Sequence, residues 1–367
     1  MRKIIEGQKG KKRSIKKIVI TVLAVLLVVC VIILIGAGRL FEEELAIIGT
    51  IEKLKINDEK SFYYMEVKGD YHFEEFLNTG GASSDDEVSV FLTEKISKGF
   101  YSVEVDNTEL GCSTISAKTL TETHVWGRNF DWTGSVPIIV RCIPKEGYAS
   151  ISTCDFQNIT GNAETLPEGM VNQMLAIAAL YVPLDGINEA GLCVADLEVN
   201  EGGMISVDTE KPDLTITTAI RLILNKAATV EEAVALLKQY DIHASGGISH
   251  HLSIADATGA AVSVEFINGE IIVVDTNFVT NFNLANGDIS AGGESAQNRY
   301  EALEAIYQNH AGILTNEQIK EALLQVSQST GTWTTQWSIV YEQDTLRADY
   351  YFGGDYEKGY SYSVVEN

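Results

Sequence analysis

Leu110-Gly111-Cys112-Ser113-Thr114-Ile115-Ser116-Ala117-Lys118 and, shortly after it, Trp126-Gly127-Arg128-Asn129-Phe130-Asp131-Trp132 are the stretches on which the reading of this 367-residue chain turns. Around them, Cys112–Lys118 and Thr123–Phe130 alternate roughly in period two, as neighbouring half-buried strands do. The first stretch places a thiol directly after a glycine, and the second stretch carries a cation and a carboxylate. A free cysteine has a pKa of about 8.5 and needs help to act as a nucleophile at neutral pH. Arg128 on the adjacent strand could supply a cation that favours the thiolate, and Asp131 could orient a neighbouring amine or thiol. If Gly111–Cys112 were cut, the freed α-amine, with an ordinary pKa of about 7.7–8.0, would be a general base on the same residue as the sulfur. That arrangement needs no histidine. Residues three apart on a strand do not share a face, so the simplest rival reading leaves Arg128 and Asp131 as unrelated charges.

Further along, Ile138–Cys142 and Ala149–Cys154 read as strands around the turn Lys145-Glu146-Gly147. Met170–Tyr181 reads as a helix and Gly191–Val199 as a strand. Helices follow at Thr215–Ala227 and Thr229–Tyr240, the second opened by a capping box of Thr229 and Glu232. Strands return at Ile248–Ala255, Ala261–Ile267 and Ile271–Asp275, with Asn268-Gly269 suited to a tight hairpin. Helices at Ser295–Asn309 and Asn316–Val326 precede closing strands Thr334–Tyr341 and Thr345–Phe352. This block order suits a pair of antiparallel sheets with helices outside.

Upstream, Ile18–Gly38 is 21 uncharged, almost wholly apolar positions. As a helix it spans about 31 Å, the thickness of a hydrocarbon core. Eight basic residues and one acid precede it, whereas Glu42, Glu43 and Glu44 follow it, so the positive-inside rule puts the N-terminus in the cytoplasm. A cleaved signal peptide is the rival reading, but its apolar core usually runs only about 7–15 residues. The expected organisation is a basic tail (1–17), a transmembrane anchor (18–38), an N-terminal portion or pro-segment (40–111) and a catalytic domain (112–367). Residues 40–59 suit a helix leaving the membrane, and 78–86 a loop. The expected location is the cell membrane, single-pass, with the catalytic domain outside.

The net charge of −24 becomes −32 once residues 1–39 are removed, which repels phosphate backbones and excludes nucleic-acid binding by charge. No Cys-x-x-Cys pair, zinc-hydrolase histidine pair or phosphate-cradling glycine loop is present, so neither a metal nor a cofactor is expected. Cys142 and Cys154 fall on neighbouring strands but out of direct register for a disulfide.

The cysteine and Gly-Arg-Asn-Phe-Asp-Trp segments resemble the N-terminal-nucleophile hydrolases of the choloylglycine hydrolase, acid ceramidase and penicillin acyltransferase group. The resemblance continues through Asp185-Gly186-Ile187-Asn188-Glu189-Ala190-Gly191-Leu192, Val279-Thr280-Asn281-Phe282 and Asn298-Arg299-Tyr300, in order, across 112–367. Residues 55–111 resemble the pro-segment of the acyltransferase-like and ceramidase-like branches. The resemblance implies an α+β, four-layer αββα sandwich of two antiparallel sheets and self-cleavage between Gly111 and Cys112. It also implies a catalytic set of Cys112, Arg128, Asp131, Asn281 and Arg299, with Asn281 donating to the oxyanion and Arg299 bracing the site. The implied substrate is a small linear acyl amide; acyl chain, leaving amine and oligomeric state stay open. Glu198 stands where the bile-salt and penicillin V branches carry asparagine, and an ionised glutamate only accepts hydrogen bonds, which leaves its substrate or oxyanion role open. Alternatives are a Cys–His pair using His124 or His250, an acyltransferase, a bile-salt or penicillin V-type acylase, and an inactive surface binding protein.

Overall fold

The computed structural model describes residues 2–104 (side chains from Val19), 111–199, 205–329, 331 and 333–365. The sequence also offers a polar patch, Asp106-Asn107-Thr108-Glu109, and a loop over 199–211; the first and part of the second lie outside these residues. The chain divides into two units, Met1–Gly49 and Thr50–Asn367. In the first, a helix runs Arg2–Leu40, followed by a short helix Glu42–Ile48. Its stretch Val19–Leu40 is long and apolar enough to cross a bilayer, as an anchor or a signal sequence would be. The expected helix over 40–59 stops at Ile48, and Glu52–Lys55 is already a strand.

The second unit is built on two sheets. The larger has nine strands, in spatial order Glu52–Lys55, Ser61–Lys68, Pro137–Ile143, Ser150–Asp155, Asp185–Asn188, Cys193–Glu198, His250–Ala255, Ala261–Ile267 and Glu270–Asp275. The smaller has six: Phe278–Val279, Gly111–Lys118, His124–Trp132, Thr334–Glu342, Arg347–Phe352 and Gly359–Ser363. Neighbours in both sheets are antiparallel except Ser61–Lys68 and Pro137–Ile143, which run parallel. The N-terminal portion therefore supplies two strands of the main sheet and is part of the sandwich.

Alternation along each strand sorts side chains between two cores. Between the sheets lie Cys112, Trp126, Phe130, Trp337 and Tyr341 from the smaller, and Ile139, Ile151, Ile187 and Leu197 from the larger. On the outer face of the smaller sheet, Ile115, Val125 and Val340 pack on Leu303, Ile319 and Leu323 of helices Gly293–Asn309 and Asn316–Gln325. Gly127 is required here, since a Cβ would lie 2.6 Å from Ile319 Cγ2. Helices Ile216–Lys226 and Val230–Leu237 cover the larger sheet, which completes an αββα stack. Thr229 caps the latter helix by accepting from the Glu232 N–H, while the Glu232 carboxylate takes the N–H of Ala228 in place of Thr229's own. Asn268 and Gly269 both adopt positive φ, as the tight hairpin demands.

Candidate active site

Cys112 is the second residue of its strand and pairs with Phe130, while Gly111 pairs with Asp131. Register alone thus sets Gly111, the thiol and the Arg128–Asp131 segment side by side. Arg128 and Asp131 do point to opposite faces, Arg128 to the sulfur of Cys112 and Asp131 to the helix side beside Gly111. Between the sheets, Arg128 Nη2 lies 3.3 Å from Cys112 Sγ. On the helix side, Asp131 sits beside Gly111, and its carboxylate accepts from Thr335 Oγ1 (2.6 Å) and Gln328 Nε2 (2.7 Å).

Asn281 and Arg299 fasten the main chain of Cys112. The Cys112 N–H donates to Asn281 Oδ1 at 3.0 Å, and Arg299 Nη1 donates to the Cys112 carbonyl. Arg299 Nη2 also donates to Asn281 Oδ1 (2.8 Å), and its Nη1 is 3.9 Å from Asp131. Two donors converge on that oxygen, which fixes the orientation of the amide. Asn281 Nδ2 is then directed to the carbonyl of Glu198 at 2.9 Å. Asn281 therefore holds the nitrogen of Cys112 through its oxygen, and the donor expected to serve an oxyanion rests on Glu198. The main chain of Glu198 thus belongs to the site, and its side chain is half-buried.

Burial dominates the electrostatics. It pushes the Cys112 thiol up to about 11 although Arg128 pulls it down, with Asp131 and Asp196 adding to the rise. The cation that was expected to favour the thiolate is thus outweighed by desolvation. Burial also raises the Asp131 carboxyl against the pull of Arg299, Thr335 and Gln328, and lowers Arg299 against the attraction of Asp131.

The structure thus gathers Gly111, Cys112, Arg128, Asp131, Asn281 and Arg299, with Glu198 beside them. Neither histidine of the Cys–His alternative reaches the sulfur. His124 stands at the far end of its strand, with Nδ1 on the Ala257 carbonyl. His250 uses both nitrogens elsewhere, on Asp196 Oδ1 (2.8 Å) and the Ser245 carbonyl (2.7 Å). Sequence reasoning missed Gln328 and Thr335: Thr335 meets Asp131 only through the register of two strands about 200 positions apart in the chain. Among the described residues no group of three or more His, Cys, Asp or Glu side chains could hold a metal ion, and all five cysteines are free. Cys142 pairs with Ser150 and Cys154 with Ile138, so the two thiols are out of register.

A helix-faced double sheet with a buried cysteine following a glycine at the start of a strand defines the N-terminal-nucleophile hydrolase architecture. Residues 112–286 match the family model of the linear amide C–N hydrolases, choloylglycine hydrolase family. That match spans just under half of the chain and marks it as a hydrolase acting on non-peptide C–N bonds of linear amides. Two variants of conjugated bile acid hydrolase from Clostridium perfringens share the fold, each with a TM-score of 0.51, at 17% and 18% identity, covering 69% of this chain and 92% of theirs. Penicillin V acylase from Agrobacterium tumefaciens aligns with a TM-score of 0.47 and 20% identity, over 66% of this chain and 83% of its own. No curated protein matches the chain significantly.

Proposed function

We propose that the chain is a membrane-anchored, extracellular cysteine amidase that cuts itself between Gly111 and Cys112 and then hydrolyses a linear acyl amide. The observation that carries this reading is the threefold hold on one residue: Arg128 on the sulfur of Cys112, Asn281 on its nitrogen and Arg299 on its carbonyl. In self-cleavage, Cys112 Sγ attacks the Gly111 carbonyl carbon and the bond to the Cys112 nitrogen breaks. Water then hydrolyses the resulting thioester, leaving a Gly111 carboxylate and a free α-amine on Cys112. In turnover that amine takes the thiol proton, the sulfur attacks the substrate carbonyl, and the departing amine receives the proton. Water releases the acid and restores the thiol. Asp131 and Asn281 flank the position of the new amine, and Asn281 Nδ2 becomes an oxyanion donor by leaving the Glu198 carbonyl.

The apolar surroundings of Cys112, including Phe130, Trp132, Leu197, Val279 and Trp337, favour a hydrophobic acyl group. Glu198 in the place of asparagine argues against a bile-salt or penicillin V preference. The apolar helix and the basic residues before it support the anchor and its orientation. Intact-mass analysis of the purified full chain should show a fragment beginning at Cys112, and an active preparation that remains whole would overturn the mechanism. Added primary amines would divert product from free acid if the enzyme were an acyltransferase.

A further inference from the structure

We propose that Asp185 is the positioning residue for Arg128, aiming the guanidinium at the nucleophile and supplying its counter-charge. The proposal rests on the reading of Cys112 as the nucleophile and deepens it. Asp185 opens a four-residue strand in the middle of the larger sheet, between Thr153 and Ala195. Its fully buried carboxylate accepts three hydrogen bonds, all from the smaller sheet. Arg128 Nη1 lies at 2.5 Å and Trp337 Nε1 at 3.1 Å from Oδ2, and the Tyr341 hydroxyl at 3.1 Å from Oδ1. Asp185 therefore bolts one sheet to the other directly behind the thiol.

A guanidinium is planar and carries its donors in a rigid fork, so fixing one edge aims the other. Here the four terminal hydrogens of Arg128 match four acceptors. Nη1 serves Asp185 and the Leu184 carbonyl, and Nη2 serves the Asp196 carbonyl (2.8 Å) and Cys112 Sγ. Asp185 and Leu184 thus set the plane in which Nη2 meets the sulfur. Arg128 is as completely buried as Asp185, and a buried guanidinium without a nearby anion is strongly disfavoured. The other carboxylate facing it, Asp196, turns Oδ1 to His250.

The test uses the full chain in detergent, comparing Asp185→Asn and Asp185→Glu with the unsubstituted protein and a Cys112→Ala control. Fragment formation at Cys112 is followed by mass, and the Arg128 guanidinium by nitrogen-15 arginine resonances, assigned with Arg128→Lys. Asp185→Asn should retain the native near-ultraviolet circular dichroism while self-cleavage slows at least tenfold and the guanidinium resonance shifts. Asp185→Glu keeps the charge but displaces it by one methylene, and should slow cleavage at least fivefold. Should the asparagine variant not fold, the glutamate variant decides by the same two readouts. A folded variant cleaving within twofold of the unsubstituted chain with an unmoved resonance would overturn the proposal, as would lowered thermal stability alone. Should the unsubstituted chain stay whole, the self-cleavage reading falls separately. The resonance then decides for Asp185: a shift supports it and no shift overturns it.

Discussion

Replacing Arg299 with methionine removes the guanidinium while keeping an unbranched side chain of similar reach. Two charge-assisted hydrogen bonds disappear, one to the Cys112 carbonyl and one to Asn281 Oδ1, and the cation 3.9 Å from Asp131 goes with them. Such bonds contribute about 1.5–3 kcal/mol each, or roughly 3–6 kcal/mol together. Against this stands relief from burying a cation that is 8% exposed and whose pKa burial lowers. A net loss of about 2–4 kcal/mol remains. If it falls on the step in which Cys112 attacks Gly111, the rate drops about 30- to 1,000-fold, at roughly 1.4 kcal/mol per tenfold. The assay is a time course of fragment formation at Cys112, read by intact mass, alongside a thermal melt to confirm folding. A folded Arg299→Met chain that cleaves within threefold of the unsubstituted one would falsify the assignment of Arg299 as a brace on the nucleophile.

Other expectations follow from the same geometry. Cys112→Ala should leave the chain whole and abolish labelling of this position by an acyl probe; a cleaved alanine variant would move the nucleophile elsewhere. Because Ser61–Lys68 is hydrogen-bonded between two strands of the larger sheet, fragments 1–111 and 112–367 should co-purify natively and part only in denaturant, and spontaneous separation would contradict the shared sheet. Burial holds the Asp155 carboxyl up at about 6 against an ordinary 3.8, outweighing the N–H groups of Val136 and Gln157. Its stabilising contribution is therefore present below pH ~4 and lost as pH rises through ~6. Burial holds His251 down at about 4 against 6.5, so its contribution is present above pH ~6.5 and lost on acidification through ~4. The two slopes oppose each other between pH ~4 and ~6. Asp155→Asn removes the first, and its stability should climb across that window more steeply than that of the unsubstituted chain, by up to about 3 kcal/mol. Parallel denaturation curves would remove Asp155 from the account.

Local pattern made much of the sandwich legible. The run Ala261–Ile267 is a strand with the bounds its pattern suggested. Thr334–Tyr341 extends only to Glu342, and Asn316–Val326 ends one residue earlier than its pattern suggested. Ser61–Lys68 was not read as a strand, although a short turn joins it to its antiparallel neighbour Glu52–Lys55; its other partner, some seventy positions away and parallel, has no hairpin turn to announce it. Asp185–Asn188 is too short for periodicity to register. In the site, residue types and spacing pointed to Cys112, Arg128 and Asp131, the family resemblance added Asn281 and Arg299, and the structure gathers all five. What the spacing did not convey is how they are arranged around Cys112. Arg128 and Asp131 act from opposite faces, and Asn281 turns its oxygen, not its nitrogen, to Cys112. Burial also overrides the cation at the thiol. Each of these depends on where a second strand or helix comes to lie, which no local pattern encodes.

The residues that grip Cys112 are spread widely: Asn281 is 169 positions along the chain from it, and Arg299 is 187. A polypeptide emerging N-terminus first carries its sulfur long before either of them. On the proposed mechanism the cut must wait until nearly the whole length has been delivered and assembled, so a stalled or truncated molecule stays inert. Distance along the chain thereby acts as a quality check, and the enzyme is armed only by reaching its finished shape.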